Sequence, residues 1–314
     1  MMLSVVIPTY QRKWALQFSL SSIKNQTYTP DEVVIVLQPS NDKSEEVISK
    51  FSDYLNIKLI VKKKTNVTDA VSAGIKASCG DIIFFLDDDA IAEEYWIEKY
   101  LRLFEILPKA GAISGIVHTA ILNKKGVIKT VSKFYKEKVT CKGPHRIPLD
   151  ILKDYVEFIS NSGFPGRFSA SSPVIRSTSL YEGNMAWRRE ALLGNGLEEA
   201  FKESRVGFLF GSYLACYARL NGYYTYRIID SKIAPLIWHI KHEQSLQNRP
   251  LWSEFWRSFD IAYNYWRLKN LNIKVSFTNY VSGLFILARR NIYLRLPAFL
   301  YGLIKGCMFY HSYP

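Results

Sequence analysis

Short, β-branched apolar runs alternate with helix-patterned segments through the first 110 residues, and this alternation constrains the chain more than any other feature. Apolar runs predict strands at Leu3–Ile7, Glu32–Leu37, Lys58–Val61 and Asp81–Leu86, and the intervening pattern predicts helices near Trp14–Asn25, Glu45–Phe51 and Asp69–Ala77. Strands joined by crossover helices lie parallel in one sheet. Runs such as Ile82-Ile83-Phe84-Phe85-Leu86 lack a polar face, as expected where helices cover both sides. The fold class is therefore α/β. Ligands of such sheets bind beyond the carboxyl ends of the strands, so Pro8–Arg12, Gln38–Asp42 and Asp87–Asp89 are expected to meet in one crevice. Residues 109–176 are less regular and predict extra strands and loops, whereas residues 185–222 read as helical.

Asp87-Asp88-Asp89 directly follows the last of these apolar strands. Three carboxylates crowded at a strand end repel one another unless a cation neutralises them. Mg²⁺ or Mn²⁺ held by one or two carboxylates completes its shell with phosphate oxygens, so an Asp-x-Asp here suits a diphosphate. An acidic surface turn is the plain alternative for the triplet taken alone.

The triplet does not stand alone. Val5-Val6-Ile7-Pro8-Thr9-Tyr10-Gln11-Arg12, Asn25-Gln26-Thr27-Tyr28, Ala73-Gly74 with Gly80-Asp81, Phe85-Leu86-Asp87-Asp88-Asp89 and Gly183-Asn184-Met185-Ala186-Trp187-Arg188-Arg189-Glu190 follow one another in order. Together, over about residues 3–240, these segments resemble the inverting GT-A glycosyltransferases of family two. The resemblance implies a Rossmann-like, mostly parallel sheet flanked by helices, a nucleoside-diphosphate sugar donor, a lipid-linked or glycan acceptor and a Mg²⁺ or Mn²⁺ ion. It also implies a nucleotide-sugar half at residues 1–110 and an acceptor half at residues 111–240. Carried over residue by residue, Pro8, Thr9, Tyr10 and Arg12 match the loop against the base and ribose. Asp69 falls near a base contact, Asp87 and Asp88 match donor-binding carboxylates and Asp89 the metal ligand. His239, in Pro235-Leu236-Ile237-Trp238-His239, matches a late segment whose His approaches the metal-diphosphate, although a lone His after apolar residues also packs as ordinary core.

Two positions depart from the family pattern. Where an acidic base-reader is usual the chain has Gln38, whose amide offers both a donor and an acceptor to a nucleobase edge. Where a Glu-Asp pair normally supplies the base that deprotonates the acceptor, the chain has Phe210 and Gly211. Glu203 is the expected replacement, with Glu198 and Glu199 nearby. The alternative is a non-catalytic GT-A-like protein that binds a nucleotide sugar or glycan.

Charge adds a partner class. Lys and Arg number 41 against 28 Asp and Glu, a formal net charge of +13, and residues 231–314 alone hold 11 basic and 3 acidic positions. No nucleic-acid recognition motif accompanies this charge. Within the last part, 241–314, Trp252, Phe255, Trp256, Phe259, Tyr263 and Trp266 recur at helical spacing among Arg257, Arg267 and Lys269. Such an amphipathic aromatic and basic extension suits an anionic membrane surface, and equally packing on the catalytic domain or in a homodimer. The widely spaced Cys79, Cys141, Cys216 and Cys307 read as reduced thiols, and no signal-peptide pattern opens the chain. No transmembrane helix is expected, since the longest candidate, Val281–Ala288, is stopped by Arg289 and Arg290 and is too short to cross a bilayer. The expected location is cytoplasmic, peripheral on the inner face of the cell membrane.

Overall fold

A computed structural model describes residues 1–64, 66–123, 126–130, 147–242, 251–289 and 291–312. The first half runs β1 (Leu3–Thr9), α1 (Lys13–Lys24), β2 (Glu32–Leu37), α2 (Ser44–Phe51), β3 (Ile57–Val61), α3 (Val67–Ala77), β4 (Ile82–Leu86), β5 (Ala90–Ala92) and α4 (Trp96–Ile106). Strands β6 (Ala110–Ser114), β7 (Ile116–Asn123), β8 (Gly126–Thr130), β9 (Glu157–Ile159), β10 (Pro165–Arg167), β11 (Val174–Arg176) and β12 (Asn184–Arg188) follow. The remainder is α5 (Leu197–Ala200), α6 (Phe210–Leu220), β13 (Tyr224–Ile228), β14 (Leu236–His242), α7 (Leu251–Asn270), α8 (Phe277–Ala288) and α9 (Ile292–Ser312).

Eight strands form the main sheet in the order β11-β13-β6-β12-β4-β1-β2-β3, with β4, β1, β2 and β3 parallel as the alternating pattern requires. Its period-two alternation divides the core between two faces. Leu3, Val5 and Ile7 pack with Leu16 and Leu20 of α1 and Trp96 and Tyr100 of α4. Val6, Val34 and Phe85 pack on the other face with Val71 of α3 and Leu214 of α6. Close approach of α3 to the sheet depends on Gly74, where an added Cβ would collide with Val6 Cγ1.

One element differs from the sequence expectation. Asn184–Arg188 is a strand, not the start of a helical stretch, running antiparallel between β4 and β6. Met185, Ala186 and Trp187 carry adequate helix propensity, but burial on both faces of the sheet overrides it. A second sheet, β5-β14-β7-β8, stands beside the first and pairs His239 of β14 with Ala90 of β5.

Helix α7 carries the predicted aromatic face. Asp260 and Arg267 on it form a fully buried ion pair at 2.8 Å. Asp260 also accepts hydrogen bonds from Ser204 Oγ at 2.7 Å and Phe208 N at 3.0 Å, while Arg267 donates to Ala200 O at 2.9 Å. The 200–208 connection is thereby fastened to α7. Helix α9 lies along α7, with Trp266 Nε1 donating to Leu303 O at 3.0 Å. Residues Ile292–Tyr310 are long and apolar enough to cross a membrane, a feature the sequence reading overlooked because Arg295, Pro297 and Lys305 interrupt the run. Arg295 is absorbed by an ion pair with Glu254 and a hydrogen bond to Leu287 O. Cys79, Cys216 and Cys307 are free thiols, as expected; Cys141 and most of the Lys-rich 124–142 stretch lie outside the described residues.

Candidate active site

The carboxyl ends of β1 and β4 deliver Thr9–Arg12 and Asp87–Asp89 to one place, as the sheet topology requires. Tyr10 N–H donates to Asp88 Oδ2 at 3.2 Å, and the buried Thr9 hydroxyl lies beside that carboxylate without reaching hydrogen-bond geometry. Pro8 lies within β1 itself, paired with Val36 of β2. Gln11 has a left-handed backbone (φ 54°), which turns the chain so that Arg12 reaches back over the acidic residues. Its guanidinium stands 3.9 Å from Asp88 Oδ1 and 3.5 Å from Asp89 Oδ2. Asp42 accepts Lys13 N–H at 2.9 Å, fastening the β2–α2 loop to the start of α1.

His239 completes the group from far away in sequence. Ile240 N–H donates to Asp89 O at 2.7 Å, which docks β14 against the acidic loop. The imidazole then sits with Nε2 2.9 Å from Asp87 Oδ2 and Nδ1 3.5 Å from Asp89 Oδ1. Burial alone would lower its pKa, but the Asp87 hydrogen bond and the charges of Asp87, Asp89 and Asp88 outweigh it and raise it to about 9. Burial and mutual repulsion raise Asp88 and Asp89 above the usual carboxylate range. Arg12 and protonated His239 thus neutralise the carboxylates in the protein by itself.

One ligand atom each from Asp87, Asp89 and His239 lies within 4.8 Å of the other two. Two carboxylates and an imidazole are a donor set that Mn²⁺ accepts and Mg²⁺ tolerates, with phosphate or water oxygens filling the rest of the shell. The residues therefore fit a divalent cation. Binding there would expel the His239 proton, since a ligating imidazole is neutral.

The Gly183-Asn184 segment braces this group. Asn184 Oδ1 accepts from Trp96 Nε1 at 2.7 Å and Tyr100 OH at 2.9 Å, and its Nδ2 donates to Ile116 O at 2.9 Å and Pro235 O at 3.1 Å. All its polar capacity is spent inside, tying β12 to the segment that enters β14. Gly183 must lack a side chain, because a Cβ there would stand 2.5 Å from Asp87 Oδ1 and nearer still to Cγ and Oδ2.

Other expected residues lie apart from this cluster. Gln38 is buried at 4% exposure and its Oε1 accepts Asn66 N–H at 2.8 Å, so it orients the start of α3. The cap of α3 is Asn66, and Asp69 in the first turn pairs with Lys62 at 3.0 Å. Glu203 lies in the turn after α5 and makes no hydrogen bond or ion pair among the described residues; Glu198 pairs with Lys76, and Glu199 with Lys202 at 3.5 Å. Sequence reasoning missed Glu182. Its Oε1 accepts Gly211 N–H at 2.9 Å, and burial, with the charge of Asp87, raises its pKa to about 8 against the pull of that hydrogen bond and Arg257.

The family model for glycosyl transferase family 2 matches residues 4–171, more than half of the chain. The chain belongs to this glycosyltransferase family. A glucosyl-dolichyl phosphate glucuronosyltransferase of Haloferax volcanii is 32% identical over 120 residues, 37% of this glycosyltransferase and 38% of that protein. The Staphylococcus aureus poly(ribitol-phosphate) beta-N-acetylglucosaminyltransferase TarP is 33% identical over 99 residues, 30% of each. The matched stretches thus span well under half the length of these relatives. In fold, the glycosyltransferase is similar to S. aureus TarS 1-349 in complex with UDP-GlcNAc (TM-score 0.57, 16% identity, 98% of this chain and 81% of that one). It is also similar to mannosyltransferase PcManGT of Pyrobaculum calidifontis in complex with GDP-Man and Mn²⁺ (TM-score 0.53, 14% identity, 98% and 73%). The architecture is GT-A, with C-terminal helices added.

Proposed function

We propose that this glycosyltransferase moves a sugar from a nucleoside-diphosphate sugar to an acceptor hydroxyl on a lipid-linked or surface glycan, with inversion at the anomeric carbon. The observation that carries the reading is the convergence of Arg12, Asp87, Asp89 and His239 at the carboxyl edge of the sheet. Bound there, Mg²⁺ or Mn²⁺ would neutralise the charge that grows on the leaving diphosphate. Arg12 has the planar donor fork that suits a phosphate oxygen, and a diphosphate entering the cleft offers it oxygens in exchange for Asp88 and Asp89. The Pro8–Arg12 loop, with Gln38 and Asp69 behind it, is the proposed nucleotide side. The relatives' printed acceptors, a dolichyl-linked sugar and a poly(ribitol-phosphate), support an acceptor of the cell envelope.

The C-terminal helices support work at a membrane surface. Phe285, Ile286, Ile292, Tyr293, Leu300, Ile304 and Met308 are exposed on α8 and α9, in a part of the chain rich in Lys and Arg. We read α9 as lying along the surface, since one side of it is already packed on α7.

Isothermal titration of UDP-GlcNAc, UDP-glucose and GDP-mannose with and without Mn²⁺ tests the donor assignment. At least one should bind more tightly with Mn²⁺, and Asp89→Ala should abolish the Mn²⁺ dependence while the melting temperature holds. Unchanged Mn²⁺-dependent affinity in a folded Asp89→Ala protein refutes the metal assignment.

A further inference from the structure

Direct displacement at an anomeric carbon by a hydroxyl needs a group to take the hydroxyl proton. The carboxylates of the acidic loop are committed elsewhere: Asp87 and Asp89 face His239, and Asp88 is bound by Tyr10 N–H and Arg12. Glu198 and Glu199 are held by lysines at the start of α5.

Glu182 is placed differently. It immediately precedes Gly183 and β12, and because Asn184 pairs antiparallel with Leu86, the chain at residue 182 leaves the sheet at the same edge as Asp87. The residue as a whole keeps part of its surface in solvent, while its carboxyl group is set deep beside Gly211. Its Oε1 is anchored by the Gly211 N–H at 2.9 Å in the first turn of α6, while Oε2 accepts no hydrogen bond among the described residues. One oxygen is therefore fixed and the other is available.

Gly211 is the complementary half of the observation. A Cβ at position 211 would lie 3.1 Å from Glu182 Cγ and 3.3 Å from its Oε1, so a side chain there and the Glu182 carboxylate compete for one space. The residue before α6, Leu209, adopts a left-handed backbone (φ 74°), and Phe208 is fastened to Asp260 and lies under Arg257 at 4.0 Å. The start of α6 is thus held rigidly toward Glu182.

We propose that Glu182, standing in the space that a side chain at position 211 would fill, is the general base of this glycosyltransferase. The inference rests on the transferase reading above. In the step, Oε2 of Glu182 takes the acceptor proton and the acceptor oxygen bonds to the anomeric carbon. The bond from that carbon to the diphosphate oxygen breaks, and the diphosphate leaves with the electron pair. Atoms and charge balance without a further reactant.

The test uses the full chain, Mn²⁺ and whichever of UDP-GlcNAc, UDP-glucose and GDP-mannose binds by titration. Release of nucleoside diphosphate is followed with water as acceptor and, separately, with sodium azide, an anion that needs no base. Glu182→Gln keeps the Gly211 hydrogen bond and should keep donor affinity, but should lose about 10²–10⁴-fold in water-supported turnover. Azide-supported turnover should survive, a result that a merely structural role would not give. Glu182→Ala combined with Gly211→Asp, which moves the carboxylate across the shared space, should recover part of the loss. Wild-type turnover in folded Glu182→Gln overturns the proposal, as does loss confined to Glu203→Gln. If the wild-type chain binds no nucleotide sugar or releases no diphosphate, the transferase reading itself fails and this inference with it; binding and turnover that persist in Glu182→Gln overturn the inference alone.

Discussion

Gly183→Ala isolates the geometry of the acidic loop with one carbon atom. Gly183 has a backbone that any residue can adopt, so the substitution carries no conformational strain of its own. The new methyl would stand 2.5 Å from Asp87 Oδ1 and nearer to Oδ2, the atom that accepts from His239 Nε2 at 2.9 Å. Ordinary carbon–oxygen contact needs close to 3.4 Å or more, so Asp87 must swing by about an ångström and release the imidazole. The cost to metal binding comes from the displaced carboxylate itself, since Asp87 is one of the three candidate ligands, and disturbing the support that orients a ligand costs about 10–100-fold in metal affinity. Isothermal titration of Mn²⁺ with the preferred nucleotide sugar should show that loss, with a melting temperature close to wild type because Asp87 faces the cleft. A cycle with Asp87→Ala makes the reasoning refutable. Gly183→Ala should cost nothing further once the carboxylate is gone; additive losses, or full affinity in Gly183→Ala, would show that this placement of Asp87 is not what binds the donor.

Two further outcomes bear on the C-terminal helices. Asp260→Asn leaves the Arg267 guanidinium buried without its counter-charge, and urea unfolding should register a loss of about 3–5 kcal/mol; a loss under 1 kcal/mol would mean the pair is not what fastens residues 200–208 to α7. Co-sedimentation with anionic phosphatidylglycerol vesicles at low salt should fall when Phe285, Ile286, Leu300 and Ile304 are replaced together by Ser, and no sedimentation of the wild type would overturn the membrane reading.

Much of this architecture is legible in the sequence because it is locally encoded. β2 occurs at Glu32–Leu37 as the apolar run predicts, and the ends of β1 and β4 put Arg12 and Asp87–Asp89 together because parallel topology leaves no other arrangement. His239 was recognisable by resemblance, although its distance from Asp89 depends on a second sheet that no local pattern reveals. Glu182 was missed because its position follows from β12, and Met185-Ala186-Trp187 reads as helix until the sheet encloses it on both sides. A signal was nonetheless present: an acidic residue immediately before Gly183-Asn184, in a chain with Gly211 where a carboxylate was sought. Gln38 shows the reverse case, in which an amide suited to a nucleobase spends its carbonyl on Asn66.

The docking of β14 on the acidic loop has a thermodynamic side. Asp87–Asp89 leave β4 of the main sheet and run directly into β5 of the second, where Ala90 pairs with His239 of β14 and Ile240 N–H reaches Asp89 O, so the acidic loop is the joint between the two sheets. A cation shared by Asp87, Asp89 and His239 would act as a clip across that joint. Its binding energy would appear as added stability of the folded chain, about 2.7 kcal/mol at a hundred times the dissociation constant. Without the cation, Arg12 meets only the Asp88 and Asp89 side of that joint, and the His239 contact with Asp87 spans the other.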